Sequence, residues 1–500
     1  MNYTEEAKAS DMSSSAHLEV ATTQENGLVL PLEASDSRLL RKVDLHVVPI
    51  MLATYFLQFL DKVILNYANV TGISKDLNMT GNDFTWLATA FFIAYALAEI
   101  PQGYLLQRFP LAKVLGFNVA CWGITITCSS GAQSYAGFMV CRILLGCFEA
   151  VISPALTMIT SQWYTKREAG PRFGLWYSGL GIGQIVGGLV SFGAQHTPTD
   201  ASLGGWRIMM LAVGLVNIVV AIVVLLFLPD CVDSANFLTT SEKTAIHVKL
   251  TLDQGGNGAK VFRFSGLGEV LRDAQIWLLV LLTVLIVIPS GVVSTFSAVI
   301  IKGFGYNSKQ AALLNMPSGV VSIFATMLST YFILKGFPRW LSIILLLIPT
   351  AIGGGLMAFL DTKNLAGRLA GIYMINFIVA PLAIIFSWVG ANTAGYTKRV
   401  AANSMVAMAF GVANIIGPQT FQARDAPKFI PAITTVFAVA GGAMVVSAAL
   451  RLLYGHRNRN SIRKREQQMQ SIATEGPMAD ELEDHQEMTD RQNLAFVYVY

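Results

Sequence analysis

Charge is what this sequence has least of. Only 13% of its 500 residues are Asp, Glu, Lys or Arg, while 53% are hydrophobic. Soluble globular chains carry ~25% charged residues. Half that share over this length excludes a water-soluble enzyme and leaves a chain that crosses a lipid bilayer many times. Its five cysteines (Cys121, Cys128, Cys141, Cys147, Cys231) show neither a disulfide framework nor zinc spacing, and its six histidines are scattered. No metal and no cofactor is therefore expected. No nucleophile or phosphate-loop constellation is present either, so catalysis is not expected. The net charge of +4 is too small to indicate a nucleic-acid partner. Residues 1–37 lack the apolar core of a cleavable signal peptide; they are polar, rich in Ser, Thr and Glu, and read as a disordered tail.

What the chain has in abundance is long apolar runs. They lie at about 46–68, 84–106, 111–130, 135–160, 173–193, 207–228, 274–300, 309–334, 339–360, 366–390, 398–421 and 429–453. Each is near the ~20 residues that a helix needs to cross a hydrocarbon core of ~30 Å. One long polar connection, 229–273, splits the twelve into six and six. The expected organisation is a cytoplasmic tail (1–40), a first six-helix bundle (41–230), a cytoplasmic linker (231–273), a second six-helix bundle (274–455) and a second tail (456–500). Loops on the side of the termini and the linker hold 22 Lys and Arg, and the opposite loops hold 8. The excess of positive charge places both termini in the cytoplasm.

The halves repeat one another. Tyr164-Thr165-Lys166-Arg167 precedes the fifth segment, and Tyr396-Thr397-Lys398-Arg399 precedes the eleventh. LLQRFP (105–110) follows the second segment, and ILKGFP (333–338) follows the eighth. Two matches in register indicate a parallel repeat, an architecture that puts the binding site between the halves near the midplane.

The few charges inside apolar segments all lie in the first half: Asp61 and Lys62 in FLQFLDKVILNYA, Glu99 in YALAEIPQG, and Arg142 and Glu149 in YAGFMVCRILLGCFEA. Arg142 and Glu149 stand seven residues apart, about two turns, and so share a helix face. A charge at mid-bilayer depth costs at least ~2.5 kcal/mol and usually faces an interior cavity. One reading is that these charges only bolt helices together, with Lys62 snorkelling outward. The other is a polar pathway in which two acids and two bases pair until an anion draws the bases away and an acid takes up a proton. Glu99 precedes Pro101 and suits a structural role. Gly183 and Gly187 belong to a glycine-rich fifth segment that favours close helix packing and sliding. Trp388 and Asn392 end the tenth segment, where a buried amide binds either substrate or another helix.

At these motifs the chain resembles the major facilitator superfamily and, more narrowly, the fungal allantoate-permease branch of the anion:cation symporters. LDKVIL is similar to that branch's L-D-R-x-N element, with Lys62 for arginine and Leu65 for asparagine. CRILLGCFEAVISP resembles R-x-x-x-G-x-x-E-A-x-x-x-P in full. Residues 387–429 form the most specific match, and EMTDRQNLAFVY resembles the branch's tail motif. The resemblance implies twelve transmembrane helices in two bundles and proton-coupled symport of a small organic anion (a carboxylate, ureide or vitamin-like compound) through the plasma membrane, by a monomer. It implies that Asp61 and Glu149 couple protons and that Lys62 and Arg142 attract the substrate carboxylate. Asn392 is a further substrate candidate; Glu99, Arg108, Gly183, Gly187 and Trp388 are structural or gating candidates. A proton-driven exporter is the alternative reading. Exporters of the superfamily carry G-x-x-x-G-P-x-x-G-G on helix five, and here Gln184 stands in the proline position.

Overall fold

The computed structural model describes residues 32–197, 203–253, 265–361, 363–425, 430–475, 489–493 and 496–500. Two units are distinguished, Met1–Val48 and Pro49–Tyr500. The described part of the first is the leading end of the helix Leu32–Thr71. Among the described residues, twelve helices are long and apolar enough to span a membrane: α1 (Ser37–Thr71), α2 (Asp83–Arg108), α3 (Leu111–Ser130), α4 (Tyr135–Trp163), α5 (Glu168–Ala194), α6 (Gly205–Phe227), α7 (Ala274–Gly303), α8 (Ser308–Leu334), α9 (Arg339–Phe359), α10 (Leu365–Asn392), α11 (Thr397–Gln419) and α12 (Pro431–Gln467). No strand occurs among the described residues. Large apolar side chains such as Leu97, Leu226, Phe359 and Val445 stay exposed on these spans, as a surface facing lipid tails requires.

Local sequence sets the helix ends. Ser134 caps α4 by accepting the Gly137 amide at 3.2 Å, and Asn364 caps α10 by accepting that of Gly367 at 3.0 Å. Asn307 and Gln310 form a reciprocal capping box at the start of α8. Pro110 and Pro338, the prolines of the internal repeat, immediately precede α3 and α9. The orphan amides that follow are satisfied differently. Asp230 Oδ1 accepts from Ala112 at 3.1 Å in the first half, whereas the Tyr500 carbonyl accepts from Arg339 at 2.8 Å in the second.

Helices α2 to α6 pack among themselves, as do α7 to α12; the two sets meet along α5–α8 and α2–α11. Glycine makes the α5–α8 seam close. A Cβ on Gly181 would lie 2.4 Å from the Gly319 carbonyl oxygen, and a Cβ on Gly319 would lie 2.4 Å from that of Gly181.

Both expected tails need correction. Helix starts at Leu32, inside the stretch expected to be disordered as far as residue 40, and residues 1–31 lie outside the described residues. Beyond residue 455 the last helix continues to Glu475, and the end of the chain packs on the second bundle. Asn458 brackets the Tyr498 main chain with bonds of 2.9 and 2.8 Å. Asn392 does the same for Val499, at 2.8 and 2.7 Å. The linker is not plain coil, since helices Thr240–Asp253 and Ser265–Leu271 lie within it.

Candidate functional site

The intramembrane charges converge, in a crossed arrangement. Arg142 and Glu149, on one face of α4, do not pair with each other; each pairs with α1. Arg142 Nη1 lies 3.5 Å from Asp61 Oδ2, and Lys62 Nζ pairs with Glu149 Oε1. Geometry explains the crossing. Two helical turns separate the α4 residues by ~10 Å along the axis, too far for a direct bond, whereas α1 runs beside both. Lys62 turns back along α1, with its ammonium 3.4 Å from the Gln58 carbonyl one turn earlier, so it does not snorkel outward.

The site is buried on its acidic side. Asp61 and Glu149 are fully buried and Arg142 is 3% exposed, while the Lys62 side chain keeps 21%. Each acid has spent one oxygen only: Asp61 Oδ1 and Glu149 Oε2 are buried with no hydrogen-bond partner. Aromatic faces cover both cations, Phe138 at 5.1 Å from the Arg142 guanidinium and Phe91 at 5.5 Å from Lys62 Nζ. Gly146, between Arg142 and Glu149, admits this packing, because a Cβ there would lie 2.4 Å from the Phe91 carbonyl oxygen. Directly after Glu149 the α4 helix is interrupted at Ala150 and Val151, three residues before Pro154.

A small cavity of about 20 Å³, partly open to solvent, lies beside the pairs. The first half contributes Asp61, Lys62, Leu65, Phe91, Phe92 and Arg142; the second contributes Ser294 and Thr295 of α7. Next to it, polar side chains tie the halves together. Asn66 of α1 donates to Ser297 Oγ of α7 at 2.8 Å, Asn315 of α8 donates to the same oxygen at 2.9 Å and to the Tyr67 hydroxyl at 3.1 Å, and Gln184 of α5 donates to Asn315 at 3.3 Å. Related bonds join Thr85, Thr89 and Asn82 of the α2 end to Phe421, Gln419 and Gln422. These ties run towards the loops opposite the chain termini.

The other candidates lie elsewhere. Asn392 does not line the cavity, which corrects its assignment to substrate: both ends of its amide are committed to Val499. Trp388 is fully buried and donates to the same Val499 carbonyl at 2.9 Å. Glu99 is half-buried and outside the cavity lining, one turn before Gln102, which bonds Asn118 at 2.7 Å. Arg108 is exposed at the end of α2. Gly183 and Gly187 seat α5 against α1: a Cβ on Gly183 would be 3.0 Å from the Phe56 carbonyl, and one on Gly187 would be 2.8 Å from Val63. Sequence reasoning missed Ser294, Thr295, Ser297, Asn66 and Asn315. The two asparagines carried a usable signal, an amide deep inside an apolar segment; the hydroxyls did not, because helices hide them readily.

Comparison with known proteins supplies the family. Residues 51–418 match the family model described as Major Facilitator Superfamily. The Saccharomyces cerevisiae protein named thiamine pathway transporter THI73 is 35% identical, over 96% of this chain and 91% of that protein. The allantoate permease of the same yeast is 30% identical, over 93% of this chain and 86% of that protein. The crystal structure of a D-xylose-proton symporter superposes with a TM-score of 0.61 over 80% of this chain and 97% of its own, at 15% identity, a likeness of fold alone.

Proposed function

This chain belongs to the Major Facilitator Superfamily and is a membrane transporter of small molecules, and from that premise we propose that it imports a small organic monoanion together with protons. One observation carries the reading: two ion pairs join α1 to α4 beside a cavity, and each leaves a carboxylate oxygen buried without a partner. A buried charge is tolerated only while it is compensated. An anion entering the cavity competes for Lys62 and Arg142. Every unit of compensation it takes from them is lost to Glu149 and Asp61, and a proton on the acid restores neutrality. Anion and proton thus favour the same state of the site, the linkage that symport requires. Lys62 offers a point charge where arginine would offer a fork, so Arg142 supplies the directional contact. Allantoate, named for one relative, is itself a monocarboxylate.

The exporter reading loses support at Gln184, which bonds Asn315 across the α5–α8 seam where an exporter would place proline. Both termini and the linker are cytoplasmic in this proposal, in line with the 22-to-8 charge asymmetry, and the bilayer is the plasma membrane. The test is uptake by a permease-deficient yeast offered labelled allantoate, nicotinate, pantothenate and biotin. Uptake of at least one, rising as external pH falls, is expected. Uptake that rises with external pH would favour export instead.

A further inference from the structure

The cavity has two unlike walls, and the second has not been given a task. Both cations and both acids come from α1 and α4. From the second half only Ser294 and Thr295 reach the lining, and no cation does among the described residues.

Thr295 differs from most threonines of the spans. A helical hydroxyl in lipid normally returns its hydrogen to the carbonyl four residues back, since nothing else satisfies it there. Thr54, Thr125, Thr160, Thr283, Thr350 and Thr393 all do so, at 2.7–3.5 Å. For Thr295 that acceptor is the Gly291 carbonyl, and Ser294 Oγ donates to it at 3.1 Å. No hydrogen bond from the Thr295 hydroxyl to another side chain or carbonyl is found among the described residues; the residue as a whole is 6% exposed, and it lines the cavity. Thr326 shares the lack of a partner, but it is sealed on α8 and does not line the cavity. A hydroxyl of a largely buried residue that bonds no protein group and lies in the cavity lining is a hydrogen-bonding position open to whatever occupies the cavity.

We infer that Thr295 is the second half's substrate contact, and that the substrate is a monoanion bearing a neutral hydrogen-bonding group at the end remote from its carboxylate. This rests on the anion-import reading and narrows it. The carboxylate lies towards Lys62 and Arg142, and the neutral polar end meets Thr295, so one small molecule touches both bundles. A dicarboxylate fits poorly, because its second charge would find no cation on the α7 wall.

The test uses purified protein in proteoliposomes: wild type, Thr295→Val, which keeps the shape and removes the hydroxyl, and Thr295→Ser, which keeps the hydroxyl. Labelled allantoate, nicotinate and pantothenate have a neutral polar end; butyrate and benzoate lack one, and succinate has a second carboxylate. Wild type should accumulate a compound of the first group. Thr295→Val should raise its half-saturation concentration about tenfold, the effect of one hydrogen bond, with little change in maximal rate, and Thr295→Ser should restore it to within about threefold. Unchanged half-saturation in Thr295→Val, a loss confined to maximal rate, or wild-type preference for butyrate, benzoate or succinate would overturn the inference. A wild-type protein that accumulates none of the six would overturn the anion-import reading itself.

Discussion

The molecule buries charge in two places, and the two are built differently. In the first half, two bases and two acids meet in two pairs, one stretched to 3.5 Å, and an oxygen of each acid is left without a partner. At the terminus-bearing end of the second half, Lys398 lies 2.7–2.8 Å from three carboxylates, Glu269, Asp273 and Asp490. Arg457 adds a contact of 2.5 Å to Asp273, and the Tyr498 hydroxyl donates to Asp490 at 2.8 Å. The second cluster ties linker, α11, α12 and chain end into one knot, and none of its residues lines the cavity beside the first. The first joins two helices through one stretched pair and one close pair beside a cavity. The second cluster is not free of unpartnered atoms, since Arg457 Nη1 is buried without a hydrogen bond, but each of its acids has a cation within 2.8 Å and several share one. Shared close contacts fix a structure, whereas separate pairs beside a cavity leave charges that a ligand can rearrange.

Substitution should separate the two clusters. Arg142→Gln should reduce transport at least 100-fold, which a loss of ~3 kcal/mol of charge compensation produces, while the protein still reaches the membrane folded. Lys398→Met should do the opposite. Removing the hub leaves three acids facing one another and should cost ~3–5 kcal/mol of stability, seen as a lower unfolding temperature in detergent, with transport per folded molecule retained. Exchange of these phenotypes would mean that the roles of the clusters have been assigned the wrong way round.

A smaller effect is expected with pH. Burial opposes ionisation of Asp273, but Arg457 and Lys398 outweigh it and hold the carboxyl below its ordinary value. A depressed acid contributes stability above its unfolded value of ~3.9 and loses it as pH falls through the folded value. Docking of the chain end should therefore persist from neutral pH to about 4 and weaken below that. Hydrogen exchange of the Val499 amide, bonded to Asn392 at 2.7 Å, reports it directly; loss of protection between pH 7 and 5 would count against the knot.

Much of this was legible in the chain itself. Apolar run length marks twelve spans, and the repeated LLQRFP and ILKGFP stretches mark the two-fold organisation, because both are local consequences of crossing lipid. Asp61, Lys62, Arg142 and Glu149 stand out because charge is expensive there. Their crossed pairing was not readable, since it depends on which helix lies alongside α4. Asn392 was misjudged for a related reason. Its position in an apolar segment indicates that the amide is buried, but not that its partner is Val499, 107 residues away. The docked chain end has no periodic apolar pattern, and its main chain is held by side chains that only the tertiary fold assembles.

The central claim is that the two acids paired between α1 and α4 carry the coupled protons. Glu149→Gln mimics the protonated acid permanently, and Asp61→Asn does the same on α1. The direct measurement compares, in proteoliposomes, counterflow exchange of the transported anion with its accumulation under an imposed proton gradient. The account predicts that both variants exchange the anion at rates near wild type and accumulate none of it against a gradient. Full proton-driven accumulation by Glu149→Gln and Asp61→Asn would contradict it.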